Sequence, residues 1–488
     1  MSRRVILGFL LLALIATACS AEETPELRAA ATIPGAVEGE SFQTPEKTPD
    51  EEEVEGVDLQ GVFDQQGQFS RAVEDEILDA LELPEIPAGD APSGAAAAVA
   101  GAGLDHEPVA CTAPVDDELT DAPAWVVDAL EAAVNHPDFE GLDVSVSVWI
   151  DGWGEVITRQ PDAGLVPASN EKILVAHAAN ELLDLESTID TTVERVGRDL
   201  VFRAAGDPTF STARAQVLID QVVNAGITSA DRLIVDVSQF PQPPAATGWQ
   251  SWQIRNFVGP LSGFMLDGNR WNGSEEFREA PAQGNGEWFA DALRNAGVSV
   301  NSVEVGTAPA GRVVGEVSSA PLGALVREMM LNSNNQIADM LVLQLGLVEG
   351  QGTLDDGIAQ IERELSNLCV PLEGVMDDGS GLSRANFRSA REFQEILRAV
   401  RGSDTADVFE SQLPIGGVSG TLSNRFGGDA GRVLAKTGTI FGGRALSGYA
   451  RTDSGRDAVF SIIINGERDA TSSSLGAMDL LVRTILRS

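Results

Sequence analysis

A chain of 488 residues with 43% hydrophobic content is long enough for two or three domains with sizeable cores. Its formal net charge of -41 argues against nucleic acid as a partner, because phosphate binding needs basic patches. The acidity fits a solvated surface kept apart from its neighbours by self-repulsion.

The first residues read as an export leader. Arg3 and Arg4 precede an apolar run from Val5 to Ala16 that is too short for an ordinary membrane span. Two cleavage readings follow. Ala16-Thr17-Ala18 is a small-residue site for ordinary secretion, whereas the same stretch ahead of Cys19 resembles a bacterial lipobox, with Cys19 lipidated. A cysteine in that place, in a chain with three, favours the lipoprotein. Either way the mature protein is expected in the cell envelope, membrane-anchored through the lipid, or else secreted or periplasmic. Outside the cytoplasm Cys111 and Cys369 could form a disulfide or remain separate thiols. His106, His136 and His177 form no cluster and no zinc spacing occurs, so no metal or cofactor is expected.

Residues 20–121 are rich in Glu, Asp, Ala, Pro and Gly and read as a disordered tether, with one amphipathic stretch from Ser70 to Leu83. Order is expected from about Ala122. "APAWVVDALEAAVNHPDF" has helical spacing that places Trp125, Val126, Ala129, Leu130 and Ala133 on one side. "LDVSVSVWI" alternates, so Val144, Val146, Val148 and Ile150 share a face; "DGWG" is a hairpin turn and "EVITRQ" the return strand. A helix is expected over about Ser169 to Leu183. The region 186–320 mixes strand and helix, with a hairpin in "TTVERVGRDLVFRAAGDPTF" and a strand in "DRLIVDVSQF". A helical segment follows from about Ala320 to Leu347, and another near Ser389 to Val400. "RVLAKTGTI", "RALSGYART" and "DAVFSIIING" are three strands, and "SLGAMDLLVRTIL" is a closing helix. Strands at both ends of the ordered region can share one antiparallel sheet with helices on its faces, an α+β architecture. Residues 122–185 and 321–488 would form a split domain, interrupted by a smaller α/β subdomain over 186–320.

Lysine is scarce here: only Lys47, Lys172 and Lys436 occur, and arginine supplies the remaining fixed positive charge. In Ser169-Asn170-Glu171-Lys172 the first and last residues are three apart, so they are neighbours on one helical face. A serine hydroxyl becomes a nucleophile when a base takes its proton, and a lysine whose pKa is lowered can be that base. Arginine stays protonated and cannot. The same spacing also suits a helix cap beside a surface lysine. In Ser333-Asn334-Asn335, Ser333 could relay a proton and Asn335 could bind a substrate amide, although such a stretch is commonly a polar turn. In Lys436-Thr437-Gly438-Thr439, Lys436 and Thr437 could hold a carboxylate, and Gly438 could admit a ligand beside the strand. The N–H groups of Thr439 and Ser169 could form an oxyanion hole.

Ser-x-x-Lys, Ser-x-Asn and Lys-Thr-Gly occur in that order, and the two lysines of the ordered region fall in the two lysine-bearing motifs. With "PASNEKIL", "GDPTF", "DGSGLSRANF", "LPIGGVSGTLSNRF" and "AKTGTIFGGRALSGYA", the chain resembles the class C low-molecular-mass penicillin-binding proteins, the D-alanyl-D-alanine carboxypeptidase/endopeptidase family, over about 122–488. The resemblance implies the penicillin-binding-protein/β-lactamase-like transpeptidase fold. It further implies hydrolysis of peptidoglycan stem peptides ending in D-Ala-D-Ala through an acyl-enzyme, with β-lactams as covalent inhibitors. Ser169 would be the nucleophile, Lys172 the general base and Ser333 the proton carrier to the leaving amine. Asn335 would position the acyl-side amide, and Lys436 and Thr437 would bind the terminal carboxylate. Two residues depart from the expected pattern: Asp339 stands where glutamate is expected, and His177 is unusual on the nucleophile helix. A β-lactamase or esterase on the same scaffold, or a non-enzymatic wall-binding protein, are the competing readings.

Overall fold

The computed structural model describes residues 119–240, 246–250, 253–270, 277–278 and 280–488. The expected leader with Cys19, the tether up to residue 118 with its helix at 70–83, and Cys111 lie outside the described residues.

In chain order the first elements are α1 (Ala124–Val134), β1 (Asp143–Ile150), β2 (Gly154–Arg159) and α2 (Lys172–Leu182). Then come β3 (Asp190–Val196), β4 (Asp199–Arg203), α3 (Thr212–Asn224), β5 (Ser229–Asp236), α4 (Pro281–Asn295), β6 (Ser299–Val305) and β7 (Arg312–Ser318). Five helices follow: α5 (Leu322–Asn332), α6 (Asn335–Glu349), α7 (Leu354–Asn367), α8 (Ala390–Arg401) and α9 (Ala406–Gln412). The chain ends with β8 (Val433–Ile440), β9 (Gly443–Arg451), β10 (Asp457–Asn465), α10 (Arg468–Ser473) and α11 (Leu475–Leu486).

The alternation in β1 is used on both sides. Val144, Val146, Val148 and Ile150 are fully buried in a core closed by α1 and α11. The opposite face carries Ser145 and Ser147, buried under α8, where the Ala390 N–H donates to Ser145 Oγ at 3.0 Å. β1 and its return strand β2 meet β10, β9 and β8 in one antiparallel sheet of order β2-β1-β10-β9-β8. β10 lies at its centre and is apolar on both faces: Phe460, Ile462 and Ile464 face α1 and α11, while Val459 and Ile463 face the helical core. That second core is built by α2 and α5 to α9. Residues 172–180 of α2 are all buried, as a helix at the centre of a helical layer requires. An antiparallel sheet with helices on both faces is the α+β class expected from the sequence.

A second sheet, of order β6-β5-β4-β3-β7, draws its strands from between α2 and α5. β4, β5 and β6 run parallel, and β3 pairs antiparallel with β4 and β7. α3 and α4 cover it, with Phe202, Phe210, Phe264 and Phe289 clustered at its core.

Two expectations on local structure change, and one helix was not expected. The buried stripe of α1 is Val126, Leu130, Ala133 and Val134; Trp125 and Ala129 lie to one side of it, and Trp125 is 59% exposed. The helical segment expected over 320–347 is two helices, α5 and α6. Ser333 between them takes a left-handed conformation (φ 56°), and Asn334 caps α6 by accepting from the Ile337 N–H at 3.1 Å. The amphipathic helix α7 is absent from the sequence reading, where no motif drew attention to it.

Candidate active site

The turn that carries Ser169 begins before α2. Residues Ala168–Glu171 form a 3-10 turn, and Lys172 is the first α-helical residue. Side chains three apart nearly eclipse in a 3-10 turn, which brings Ser169 and Lys172 together more directly than an α-helix would. Lys172 Nζ lies 3.0 Å from Ser169 Oγ and 2.8 Å from Asn335 Oδ1, and it donates to the Ser380 carbonyl. A neutral amine has two N–H bonds and one lone pair. Asn335 Oδ1 and the Ser380 carbonyl only accept, so they take the two N–H bonds and leave the lone pair for the Ser169 hydroxyl.

Burial lowers the pKa of Lys172 to about 8, against the opposing pull of Asp339, Asp378 and Glu171. Asp339 is itself held well above the usual carboxylate range, chiefly by burial and then by Asp378, so it stabilises the ammonium less than an ionised carboxylate would. Its Oδ1 accepts from the N–H groups of Gly379 (2.9 Å) and Ser380 (3.0 Å), which aims the Ser380 carbonyl at Lys172. Asn335 and Asp339 are four apart on α6, so one helical face orients the Lys172 amine directly and through a peptide.

The hinge between α5 and α6 puts Ser333 Oγ 2.9 Å from Lys436 Nζ on β8. The site therefore holds two hydroxyl–amine pairs, Ser169–Lys172 and Ser333–Lys436. Lys436 is fully buried and also donates to the Thr437 carbonyl at 2.8 Å. Burial, and then the charge of Lys172, push its pKa well below that of a free lysine.

β8 is the edge strand of its sheet. The Ala435 N–H donates off that edge to Pro414 O at 3.0 Å, so Thr437 and Thr439, two and four residues on, present their N–H groups on the same edge. Thr437 Oγ1 is 2.7 Å from Thr421 Oγ1, and Arg444 donates to Thr439 Oγ1 at 3.1 Å. At Gly438 a Cβ would sit 2.8 Å from Pro167 O and 3.2 Å from Ala168 Cβ. The absent side chain thus makes room for the turn that carries Ser169, where room for a ligand was expected.

The loop 377–386 was visible in the sequence only as a resemblance, and the structure supplies its role. Asp378 accepts from the N–H groups of Gly381 (2.7 Å) and Ser383 (2.9 Å), from Trp249 Nε1 (2.6 Å) and from Asn386 Nδ2 (2.7 Å). This web holds the Ser380 carbonyl under Lys172. Gly381 (φ 79°) lies so close to the turn that carries Ser169 that a Cβ would fall 1.9 Å from Ala168 O. Gly381→Ala should therefore cost about 1–3 kcal/mol of stability from the left-handed conformation alone. It should also slow any chemistry at Ser169, as thermal denaturation and serine-acylation rates would register.

His177 is buried on α2, and neither ring nitrogen has a hydrogen-bond partner among the described residues. Burial lowers its pKa to about 4, so it packs as a neutral ring without a cap. Cys369 is half-buried beyond α7.

A serine beside a desolvated lysine, facing an open antiparallel edge strand, is the site of an active-serine peptidase. Comparison with known proteins gives the family. The model of the D-Ala-D-Ala carboxypeptidase 3 (S13) family matches residues 126–276 and 274–485. A carboxypeptidase of Mycobacterium tuberculosis is 31% identical over 75% of this chain and 84% of its own length. Carboxypeptidase DacB of Mycolicibacterium smegmatis is 31% identical over 73% of this chain and 83% of its own length. The D-alanyl-D-alanine carboxypeptidase of an Actinomadura species is 29% identical, with 69% and 80% covered. Among solved structures, penicillin-binding protein 4 of Haemophilus influenzae superposes with a TM-score of 0.65 at 19% identity, over 74% of this chain and 99% of that one. The chain belongs to the S13 family of D-Ala-D-Ala carboxypeptidases, the class C low-molecular-mass penicillin-binding proteins, and is a serine-type enzyme of that class.

Proposed function

We propose that this enzyme removes the terminal residue from peptidoglycan stem peptides ending in D-Ala-D-Ala, through an acyl-enzyme on Ser169. The observation that carries the reading is the Lys172 amine, 3.0 Å from Ser169 Oγ with acceptors on its other side. Neutral Lys172 takes the hydroxyl proton as Oγ attacks the carbonyl carbon of the scissile bond. The oxyanion that forms is met by the N–H groups of Ser169 and Thr439. Ser333, backed by Lys436, passes a proton to the leaving amine. The peptide pairs along the open edge of β8, with Asn335 on its acyl-side amide and Thr437 and Thr439 on its terminal carboxylate. Buried Lys436 supplies the field behind them, and an arriving carboxylate favours its protonated form. Water then releases the acyl group.

A β-lactam presents an acyl carbon and a carboxylate to the same groups, so it should trap Ser169. The leader-like first residues support export. Lipidation of Cys19, a tether over 20–121, a Cys111–Cys369 disulfide, and a subdomain over 186–320 set into a split domain complete the proposed organisation.

The test is to incubate the purified protein with a penicillin and with a peptide ending in D-Ala-D-Ala. We expect a stable mass adduct from the first and free D-alanine from the second. Drug consumed without an adduct would identify a β-lactamase. Drug untouched and peptide intact would identify a wall-binding protein without catalysis.

A further inference from the structure

We infer that the buried pair Glu171 and Arg388 is a positioning device that holds both ends of the turn carrying Ser169. This rests on the proposed function, in which Ser169 is the acylated residue. Neither side chain touches the reacting atoms. Each acts through the nucleophile turn.

Glu171 lies between Ser169 and Lys172, yet it is fully buried while Ser169 is only half-buried. Its Oε1 is 3.6 Å from Arg388 Nε. The Arg388 side chain is 1% exposed, and its Nη1 is 2.5 Å from Glu392 Oε1 on α8. The backbone of Arg388 meets the leading end of the same turn: its N–H donates to Leu165 O at 2.9 Å, and its carbonyl accepts from the Leu165 N–H at 3.0 Å. One residue thus grips the segment before Ser169 with its backbone and the residue before Lys172 with its guanidinium.

The other residues of the turn are tied elsewhere. Asn170 Nδ2 donates to Ser447 Oγ at 2.6 Å, and Lys172 reaches Asn335 and Ser380. Glu171 has no other anchor: both its oxygens lack a hydrogen-bond partner among the described residues, as do Arg388 Nε and Nη2. Two carboxyl groups crowd one guanidinium, and burial raises the pKa of Glu171 to about 8 despite Arg388. A pair so poorly satisfied is a weak source of stability, since apolar residues of similar size fill such space as well or better. Its placement against both ends of the nucleophile turn gives it a different use.

The experiment compares wild type, Glu171→Leu, Glu171→Gln, Arg388→Lys and the Glu171→Leu/Arg388→Lys double variant. Thermal melting reports folding, the second-order rate of penicillin acylation reports the nucleophile, and kcat and KM for D-alanine release separate positioning from binding. Leucine fills the space without an acceptor, whereas glutamine keeps one facing the guanidinium. Glu171→Leu should melt at or above Glu171→Gln, yet acylate about 10–100-fold more slowly, the scale of a small misplacement of a reacting group. The loss should fall on kcat with KM unchanged, and glutamine should restore most of it. Arg388→Lys should slow acylation alike, and the double variant should be no slower than the slower single one.

Acylation of Glu171→Leu at the wild-type rate would overturn the proposal, as would a loss matched by lost folded protein. Wild type that takes no adduct would remove the premise, and is distinguishable because every variant would then be silent as well.

Discussion

Ser169→Ala should abolish the penicillin adduct and lower D-alanine release on the order of 10⁶-fold in kcat, the cost of removing a serine nucleophile from a concerted site. The variant should fold. Ser169 is half-buried and closes no core, and Lys172 keeps its contacts to Asn335 and the Ser380 carbonyl. What remains would be binding along β8 and polarisation of the peptide carbonyl, which leave a small rate above water in other serine hydrolases. Intact mass after exposure to penicillin, and D-alanine quantified over a long incubation, check both halves. An adduct on the alanine variant would place the nucleophile elsewhere. The other hydroxyl in the site with an amine beside it is Ser333, 2.9 Å from Lys436, and would then be the residue to change. Release of D-alanine within a hundredfold of wild type would rule out the acyl-enzyme route.

Much of this site was legible because its chemistry is local. Ser169 and Lys172 are one turn apart, so their spacing permits the contact, and the two further motifs in order singled it out. The lysines stood out because the rest of the chain uses arginine. β1 was legible from its alternation, and β8 to β10 from three apolar runs separated by glycine-bearing turns.

What escaped is what depends on distant partners. Lys172 meets Asn335 across 163 positions and Ser380 across 208, and no period in the sequence signals either meeting. The polar run around Ser333 was a turn signal inside the segment expected as one helix, and the structure places the break there with a left-handed Ser333 and the Asn334 cap. The stretch 378–387 was visible only as a resemblance, and neither its hydrogen-bonded loop nor the carbonyl it aims at Lys172 could be read from it. Glu171 read as one variable position of Ser-x-x-Lys. Only the fold brings Arg388 beneath it.

The second large effect concerns Lys172 and answers why the chain spends one of its few lysines there. Lys172→Arg should slow acylation about 10²–10⁴-fold, the usual contribution of a general base. Two causes combine. A guanidinium stays protonated at any working pH, so it has no lone pair for the Ser169 hydroxyl. It is also planar and wider than an ammonium, in a place with no exposed surface and with Asn335 Oδ1 and the Ser380 carbonyl already in contact.

The wild-type pH dependence carries the same argument. The Lys172 pKa is lowered to about 8, principally by burial, and in the proposed mechanism the neutral amine is the active form. Acylation should therefore rise with pH through about 8, where half of the molecules hold the free base, and flatten about one unit above it. The arginine variant should lose that rising limb together with the rate. Acylation rates measured across this range in overlapping buffers, with melting temperatures at each pH to confirm a folded enzyme, decide the point. A wild-type rate that falls as pH rises through 8 would mean that protonated Lys172 is the working form, stabilising developing charge on the attacking or bound oxygen. The base would then have to be found elsewhere, and Lys436, whose own pKa burial holds well below that of a free lysine, would be the group to test next.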